Sequence, residues 1–498
     1  MRTYVRMAEY VELHAHSAYS FLDGASHPDE LVTAAQKHGY SAFALTDHNS
    51  VSGSMEFAEA AAVTDFKVLH GTELDIREVD ASGEEVVRHL TLLVEDRKGW
   101  SNLCRLLTLA HSKTRAWVSG GHAPSTAGEI VQEPAVTLEQ LEAHSVGLHC
   151  LSGCARRGFH DLQSLKALRQ IFTPDRLAVE LQRPYERGDR ARNRELAERA
   201  AQLNLPTVAT GNVHCHDSSR AMLQDALVAV RLGLPLDACE PQRRGNHTHA
   251  MVSPVAMAAR FNDHPEAVAH SARIAERLHF DLKQNLGYTY PGAEDPEAVK
   301  KLAALCNSRF EERYELDSKF RSEAAARLVS ELKLIDGLGL SGFFLLHHEV
   351  LELASEVAAK VRGPDSARAL LEPGRGRGSS VSSIVCYLTG LSHVDPIENE
   401  IFIGRFLNED IKGLPDIDLD FPRDIRAELI PLVHQRYGRE RAALVAAFPT
   451  FRARGAIREL GKALGLPPSE IAQIARGSEG WSAQKVGEDI SAALGAKQ

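Results

Sequence analysis

The sequence lacks long apolar runs, a secretory signal, a disulfide framework and a surplus of positive charge. No run of about 18 apolar residues occurs, so the sequence predicts no transmembrane helix and no membrane partner. The opening MRTYVRMAEYVELHAH has neither the apolar core nor the cleavage site of a signal peptide. Seven scattered cysteines in 498 residues indicate a reducing, cytoplasmic location. A net charge of −10 argues against a protein that coats nucleic acid by bulk charge.

The chain has instead the composition of a folded protein and an excess of histidine. Hydrophobic residues make up 44% and charged residues 25%, which leaves enough apolar surface to build buried cores. A length of 498 residues favours roughly three domains. The 23 histidines are many for this length, and histidine is both the commonest metal ligand and the usual acid or base near neutral pH. Their positions therefore indicate where chemistry takes place.

Strands and helices alternate through the first 280 residues. The predicted strands are the apolar runs at 11–16, 41–48, 66–76, 89–96, 146–154, 176–182 and 206–214. Segments with helical spacing lie between them, so the pattern predicts an α/β fold with a mainly parallel sheet or barrel. In such folds the functional side chains gather where strands end in loops. Helical patterns then dominate to residue 360, and 361–498 mixes helix and strand.

Histidines, carboxylates and a cysteine fall at the ends of these segments. His14 and His16 lie two apart on one strand, so both imidazoles are expected on the same face. The other candidates are Asp23, Asp47, His48, Glu73, His111, Cys154, Asn212, His214 and His216. Imidazoles mixed with carboxylates suit zinc, manganese or iron, and several ions held together would activate a water and clamp a phosphate. The alternative is a set of ordinary surface or core histidines.

These motifs resemble the PHP (polymerase and histidinol phosphatase) domain. The resemblance rests on ELHAHSAYSFLDG, LTDHNSVSG, HGTELDI, LAHS, LSGC and ATGNVH. It implies a distorted β/α barrel that hydrolyses phosphoesters with several metal ions, here Zn²⁺ or Mn²⁺. The ligands it implies are His14, His16, Asp23, His48, Glu73, His111, Cys154, Asn212 and His214. The family normally has Asp at the position of Asn212, whose amide oxygen can coordinate but brings no charge and cannot act as a base. Asp47 would orient a histidine ligand.

A second motif, LPDIDLDF at 414–421, places three carboxylates on one face of a predicted strand. Asp416, Asp418 and Asp420 alternate there with three apolar residues. Carboxylates packed so closely repel each other unless cations compensate, and Mg²⁺ binds one or two carboxylates together with substrate phosphates. That is the arrangement of a two-metal nucleotidyl-transfer site. The alternative is the polar outer face of an antiparallel strand.

A turn rich in glycine and arginine precedes this strand, and a basic segment follows it. The turn PGRGRGSSVSS at 373–383 opens a predicted helix, where free amides attract anions, although no Walker-type Gly-Lys ends it. Residues 421–462 carry nine Lys and Arg against four acidic residues, a local charge of +5. Such a patch is the electrostatic footprint of a phosphate-backbone contact. The alternatives are a plain linker and a solvated helix face.

The order of these motifs resembles the palm of the bacterial C-family DNA polymerases, the alpha subunits of DNA polymerase III. The matching motifs are GRGSS, GRFLNE, PDIDLDF, RYGR and RARGAIRELGKALGLP. Together with LSGC and ATGNVHCH, they look most like the error-prone, damage-associated branch. The site residues implied are Asp416, Asp418 and Asp420 for catalytic Mg²⁺ ions, and Gly378, Ser379 and Arg405 for the incoming triphosphate.

The resemblance also implies three regions and a polymerase function. The regions are a PHP barrel domain over 1–280, a helical thumb-like region over 281–360 and a partial palm over 361–498. The function would be template-directed addition of dNTPs to primed DNA during error-prone replication and repair. Such a palm needs a third catalytic aspartate, and Asp489 lies in a polar helical setting that does not suit the role. We therefore expect no polymerisation by this chain alone.

Two functions of other classes stay open. In the first, the chain is a working metallophosphoesterase, for example a 3′–5′ exonuclease, whose active site is the histidine cluster. In the second, it is a non-catalytic DNA-binding or assembly fragment that needs a separately encoded polymerase remainder or other damage-response proteins. A nuclease assay and a salt-dependent affinity for primed DNA distinguish the two.

Overall fold

The computed structural model describes most of the chain. The described residues are 10–79, 83–114, 132–244, 247–284, 289–364, 373–408, 414–438, 440–445, 447–448, 450–478, 485 and 487. Within them, no helix is long and apolar enough to cross a membrane. The described residues divide into two compact units, the first formed by those up to 284 together with those from 450 onward, the second by those of 289–448. The predicted third region, 361–498, is thus divided between both units.

A six-stranded sheet forms the centre of the first unit. Its strands, in spatial order, are β1 (Ala42–Leu45), β2 (Lys67–Val79), β3 (Glu85–Val94), β4 (Leu148–Leu151), β5 (Leu177–Gln182) and β6 (Thr207–Thr210). The pairs β1–β2, β4–β5 and β5–β6 are parallel. In contrast, β3 runs antiparallel to both of its neighbours. The sheet is thus mainly parallel, as predicted, and β3 is the exception; the short connection between β2 and β3 allows a hairpin but no parallel crossover.

The segment 10–16 joins the two edges of this sheet. Glu12 forms a bridge with Phe43 of β1, and Ala15 forms one with Val213, just after β6. The amide of His16 also donates to the carbonyl of Val213 at 2.7 Å. The predicted first strand is therefore a pair of isolated bridges rather than a ladder. The segment thus closes the curved sheet into a ring, and side chains of the segment lie at the centre of that ring.

Helices surround this sheet, and most of them pack an apolar face on it. They are α1 (Pro28–Lys37), α2 (Ser54–Ala62), α3 (Arg97–His111), α4 (Leu138–Ala143), α5 (Leu162–Ile171), α6 (Asp189–Gln202), α7 (Ala221–Leu232), α8 (Pro254–Arg260) and α9 (Pro265–Arg277). Several of them begin at a side-chain cap. The carboxylate of Asp96, for example, accepts from the amide of Gly99 at 2.9 Å and begins α3. Leu103 and Leu106 then face the core because they lie one helical turn apart.

The second unit is mainly helical, with one two-stranded ribbon. Its elements are α10 (Ala298–Arg313), α11 (Arg321–Gly337), α12 (Ser341–Arg362), β7 (Arg375–Arg377), α13 (Ile384–Leu388), β8 (Asp418–Asp420) and α14 (Arg423–Tyr437). Phe310, Ile335, Phe344 and Ile384 form part of its buried core. The strands β7 and β8 pair antiparallel. The hydrophobic patterns predicted the helices of this unit, whereas the ribbon depends on a long-range pairing.

Two further helices follow and belong to the first unit: α15 (Ala453–Ala463) and α16 (Pro468–Gly477). Ala463 of α15 packs with Ala229 of α7 and with Cys239 in a small buried cluster. Ile457, Ile474 and Ala475 form a second small cluster between α15 and α16. The helix that carries part of the basic segment is therefore attached to the barrel unit.

Candidate functional site

The closed sheet brings several predicted ligands of the first unit into one buried cluster. His14 and His16 are 0% and 1% exposed, and their ring centroids lie 5.2 Å apart. Glu73, from β2, is also buried. Its Oε1 lies 3.5 Å from Nε2 of His14, and its Oε2 lies 3.8 Å from Nε2 of His16. Both imidazoles thus face the same carboxylate, which agrees with their spacing of two residues.

Glu73 faces two more imidazoles on its other side. Its Oε2 lies 3.0 Å from Nδ1 of His48, and its Oε1 lies 3.2 Å from Nδ1 of His89 in β3. Nε2 of His48 and Nε2 of His89 lie 3.3 and 3.1 Å from the carboxylate of Asp75. Among the described residues, two groups therefore have the spacing to hold a metal ion, and they share Glu73. These groups are His14, His16 and Glu73, and His48, Glu73 and His89.

Buried hydrogen bonds orient the first pair of imidazoles. Nδ1 of His14 donates to Oε1 of the buried Glu180 at 2.7 Å. Nδ1 of His16 lies 3.0 Å from the hydroxyl of Ser20, which donates to Asp47 at 2.7 Å. With Nδ1 engaged in this way, Nε2 is the atom of each ring that is left to bind a metal ion. Asp47 thus orients the ring of a histidine, as expected, but through the hydroxyl of Ser20 rather than by direct contact.

The remaining carboxylate, Asp23, lies beside a buried arginine. Nη2 of Arg244 donates to its Oδ2 at 2.7 Å, and Nε2 of His214 lies 3.3 Å from the same oxygen. The ring of His214 stacks on His16 with centroids 4.4 Å apart. Nδ1 of His214 donates to the backbone carbonyl of Asn212 at 2.8 Å. The amide oxygen of Asn212 is buried and has no hydrogen-bond partner within the described part of the chain.

Two predicted ligands lie at the margin of this cluster. Sγ of Cys154 lies 3.8 Å from Nδ1 of His89, and burial raises the pKa of its thiol, so the thiolate would need a cation beside it. His111 is exposed at the end of α3, and its Nε2 donates to the backbone carbonyl of Asn49 at 2.9 Å. Among the described residues, neither belongs to a group with metal spacing.

The cluster is electrostatically suited to positive charge. Burial lowers the pKa of His14, but Glu180 and then Glu73 outweigh it and raise that pKa to about 10. Burial raises the pKa of Glu73, yet the imidazoles around it, with His89 first, hold it well below its usual value. Burial, followed by the neighbouring imidazoles, lowers the pKa of His16 well below its usual range. Ionised Glu73 beside neutral His16 is the state in which both groups act as ligands.

The residues around Glu73 fit a metal ion. Several buried atoms make no well-aligned hydrogen bond among the described residues, although some lie close to an ionic partner: Nε2 of His14, His16 and His89, Oε1 of Glu73 and Oδ1 of Asp75. A buried polar atom left without a partner costs about 1–3 kcal/mol, and a shared cation would satisfy these atoms together. The mixture of imidazole nitrogens and carboxylate oxygens suits zinc or manganese.

Sequence reasoning missed four residues of this region: Asp75, His89, Glu180 and Arg244. Asp75 lies two residues after Glu73 on the same strand, so the period of two could have found it. His89 lies directly across the sheet from Asp75. His89 belongs to the amino-terminal half of an antiparallel strand, whereas functional side chains were expected only where parallel strands end in loops. Glu180 within β5 and Arg244 in a loop carry no local signal.

In the second unit, the ribbon brings the aspartate motif and the glycine-rich turn together. Across it, Arg375 lies opposite Asp420 and Arg377 opposite Asp418. Asp416, Asp418 and Asp420 are exposed. Nε of Arg377 lies 3.8 Å from Asp418 and 3.3 Å from Asp420. Within the described residues, the three aspartates do not reach the mutual spacing of a metal-binding group.

The other predicted palm residues lie around this ribbon. Gly378 has φ 75°, which favours glycine, and it begins a short 3₁₀ helix that contains the exposed Ser379. The backbone of Arg405 ends a 3₁₀ turn, and its side chain lies outside the described residues, as does Asp489. The apolar face predicted for the aspartate strand packs on the core of the unit through Ile417, Leu419 and Phe421.

The arginines and the lysine of the basic segment are exposed wherever they are described. Its exposed cations are Arg423, Arg426, Arg436, Arg441, Arg452, Arg454, Arg458 and Lys462, while Arg439 lies outside the described residues. The first three belong to α14 of the second unit, and the last three belong to α15 of the first. Arg436 and Lys462 pair with Glu349 and Glu459. Exposed arginines and lysines can contact phosphates, and such contacts weaken as salt rises.

Comparison with known protein families supports both resemblances. Residues 12–184 match the PHP domain, and residues 300–496 match the bacterial DNA polymerase III alpha NTPase domain. Likeness to solved structures is low. An amidohydrolase from Chromobacterium violaceum aligns with 41% of this chain and 87% of its own at 18% identity and a TM-score of 0.28, too little to carry an argument.

Curated relatives named error-prone DNA polymerase match almost the whole chain. The protein from Symbiobacterium thermophilum is 34% identical over 479 residues, which cover 94% of this chain and 42% of that protein. The protein from Mycobacterium tuberculosis is 34% identical over 497 residues, covering 95% and 42%. This chain thus spans less than half the length of these relatives. It carries a PHP domain followed by sequence of the bacterial DNA polymerase III alpha family, and it is a relative of the error-prone DNA polymerases.

Proposed function

We propose that this chain takes part in template-directed addition of dNTPs to primed DNA. In this proposal Asp416 and Asp418 hold two Mg²⁺ ions, with Asp420 alongside, and Gly378, Ser379 and Arg405 bind the triphosphate. When bound, the ions would stabilise the attacking and leaving oxygens of the phosphoryl transfer. The family matches support the reaction class.

The pairing of β7 with β8 carries this proposal. The turn at 373–383 and the aspartates at 416–420 are distant in sequence, yet the ribbon sets them side by side. Gly376 permits β7 to pack closely on the loop after α13, since a Cβ there would lie 2.1 Å from the carbonyl oxygen of Leu391. The carboxylates point outward beside Arg377, which partly neutralises them. A triphosphate with Mg²⁺ would find both its metal ligands and the glycine-rich turn on one surface.

Equilibrium binding of dATP with and without Mg²⁺ tests the proposal. We expect binding that depends on Mg²⁺ and that weakens about tenfold or more in Asp418→Asn, because a metal ligand loses its charge. Asp424→Asn is the matched control, since Asp424 is a nearby exposed carboxylate that pairs with Arg362. Binding that is equally tight without Mg²⁺, or unaffected in Asp418→Asn, would contradict the assignment.

The histidine cluster supports a second function, metal-dependent phosphoester hydrolysis, for example as a 3′–5′ exonuclease. The observation in its favour is Glu73 shared by two groups with metal spacing. When bound, Zn²⁺ or Mn²⁺ would activate a water and polarise the phosphate. Glu180 would hold the ring of His14 in place. The additional ligands implied by resemblance are Asp23, His111, Cys154, Asn212 and His214, and for these the ligand role stays a prediction.

A nuclease assay together with metal analysis tests this second function. The variant is His14→Ala/His16→Ala, and the control is His279→Ala, which removes an exposed histidine. We expect the double variant to lose the ion of its own group and any hydrolysis of a 3′-terminal nucleotide, while the control keeps both. Hydrolysis that survives the double substitution would place the activity elsewhere.

For partners we propose primed DNA and dNTPs, together with a separately encoded polymerase remainder or other damage-response proteins. The exposed cations of the basic segment support the contact with DNA. A cytoplasmic location agrees with the seven cysteines, all of which are free thiols. A salt-dependent affinity for primed DNA without turnover would favour the role of a non-catalytic fragment.

A further inference from the structure

One side of the histidine cluster already contains a buried cation. Nη2 of Arg244 donates to Oδ2 of Asp23, and the two side chains are only 16% and 12% exposed. Nη1 of Arg231 lies 3.6 Å from the other carboxylate oxygen. Both oxygens of Asp23 therefore face guanidinium groups. An arginine cannot lose its proton in a protein, so this positive charge is permanent.

Without Arg244, the same atoms would make a reasonable metal subsite. Nε2 of His214 lies 3.3 Å from Oδ2 of Asp23. Two ligand atoms bound to one tetrahedral zinc ion lie about 3.3 Å apart. Because Nδ1 of His214 donates to the carbonyl of Asn212, its Nε2 carries a lone pair that faces the carboxylate. The two lone pairs that face each other in this buried site repel, and a positive charge beside them removes the repulsion.

We propose that Arg244 supplies this positive charge in place of an ion, so that Asp23, Asn212 and His214 hold no metal while Arg244 is present. The charge of Asp23 is cancelled by the guanidinium, and Asn212 adds none, so no negative charge is left to offset a divalent ion. Among the described residues, the groups with metal spacing include neither Asp23 nor His214. Metal binding is then confined to the residues around Glu73, and in this respect the inference rests on the metal binding proposed above.

Metal content after equilibration with Zn²⁺ and removal of unbound metal tests this inference. Arg244→Ala should bind about one ion per chain more than the original protein binds. Arg244→Lys keeps the charge and should stay at the original content. Arg243→Ala is the neighbouring control, because Arg243 pairs with Asp225 away from the cluster. A folded Arg244→Ala variant with unchanged metal content would overturn the proposal.

Asp23 provides a test that does not require Arg244→Ala to fold. If Arg244 occupies the subsite, Asp23→Asn leaves the metal content at the original level, and a loss of metal in this variant would overturn the proposal. The double variant Asp23→Asn/Arg244→Ala should not show the gain, because the added ion would lack its carboxylate; a gain that persists there also counts against the proposal. If the original protein binds no metal while Arg244→Ala binds one ion per chain, the proposed binding around Glu73 is refuted and this inference still stands.

Discussion

Replacing Glu73 with glutamine should remove metal from both parts of the histidine cluster at once. Both groups with metal spacing contain Glu73, and it is the carboxylate that they share. It is only 5% exposed, and its oxygens lie 3.0–3.8 Å from four imidazoles. Removing one partner of a buried charge pair costs about 3–5 kcal/mol. At about 1.4 kcal/mol per tenfold, the affinity for each ion should fall by about 10²- to 10⁴-fold.

The assay is a competition between the protein and a chromophoric chelator, combined with metal analysis. Glu73→Gln should lose both ions, whereas His16→Ala and His89→Ala should each lose only the ion of their own group. Glu85→Gln, at the exposed start of β3, is the control and should bind metal normally. The reasoning fails if Glu73→Gln keeps its metal, or if His89→Ala alone removes every ion.

Three further predictions follow from single features of the structure. Glu180→Gln should weaken metal binding about 10- to 100-fold in the chelator assay, because the ring of His14 loses its buried acceptor; unchanged affinity would contradict this role. Burial lowers the pKa of His149 to about 3, so the stability this group contributes is present above pH 6.5 and is lost as the pH falls. At pH 5 the loss is about 2 kcal/mol, and His149→Leu should reduce the fall in urea midpoint between pH 7 and pH 5; an equal fall in both proteins would refute it. Arg452→Ala and Arg458→Ala should each reduce the salt slope of binding to primed DNA by about one, and an unaltered slope would exclude a phosphate contact.

The two-residue repeat of side-chain direction along a strand was sufficient to predict several features of the site. A spacing of two residues predicted that His14 and His16 share a face, and the structure places both beside Glu73. The same period separated the exposed aspartates of 416–420 from the apolar residues that pack on the core. Such patterns are readable because backbone geometry alone sets the direction of successive side chains along a strand.

The contacts that decide the chemistry depend on pairings between distant segments. His89 joins the cluster because β3 folds back antiparallel on β2, and a parallel sheet would have placed it at the opposite edge. The glycine-rich turn meets the aspartates only through the β7–β8 ribbon. Arg244 lies on Asp23 although 221 positions separate them in the chain. The sequence by itself determined which residue types could bind metal and phosphate and on which faces they lie. Only the tertiary structure decided which of them meet, because long-range packing, rather than local backbone geometry, brings a buried cation or carboxylate next to its partner.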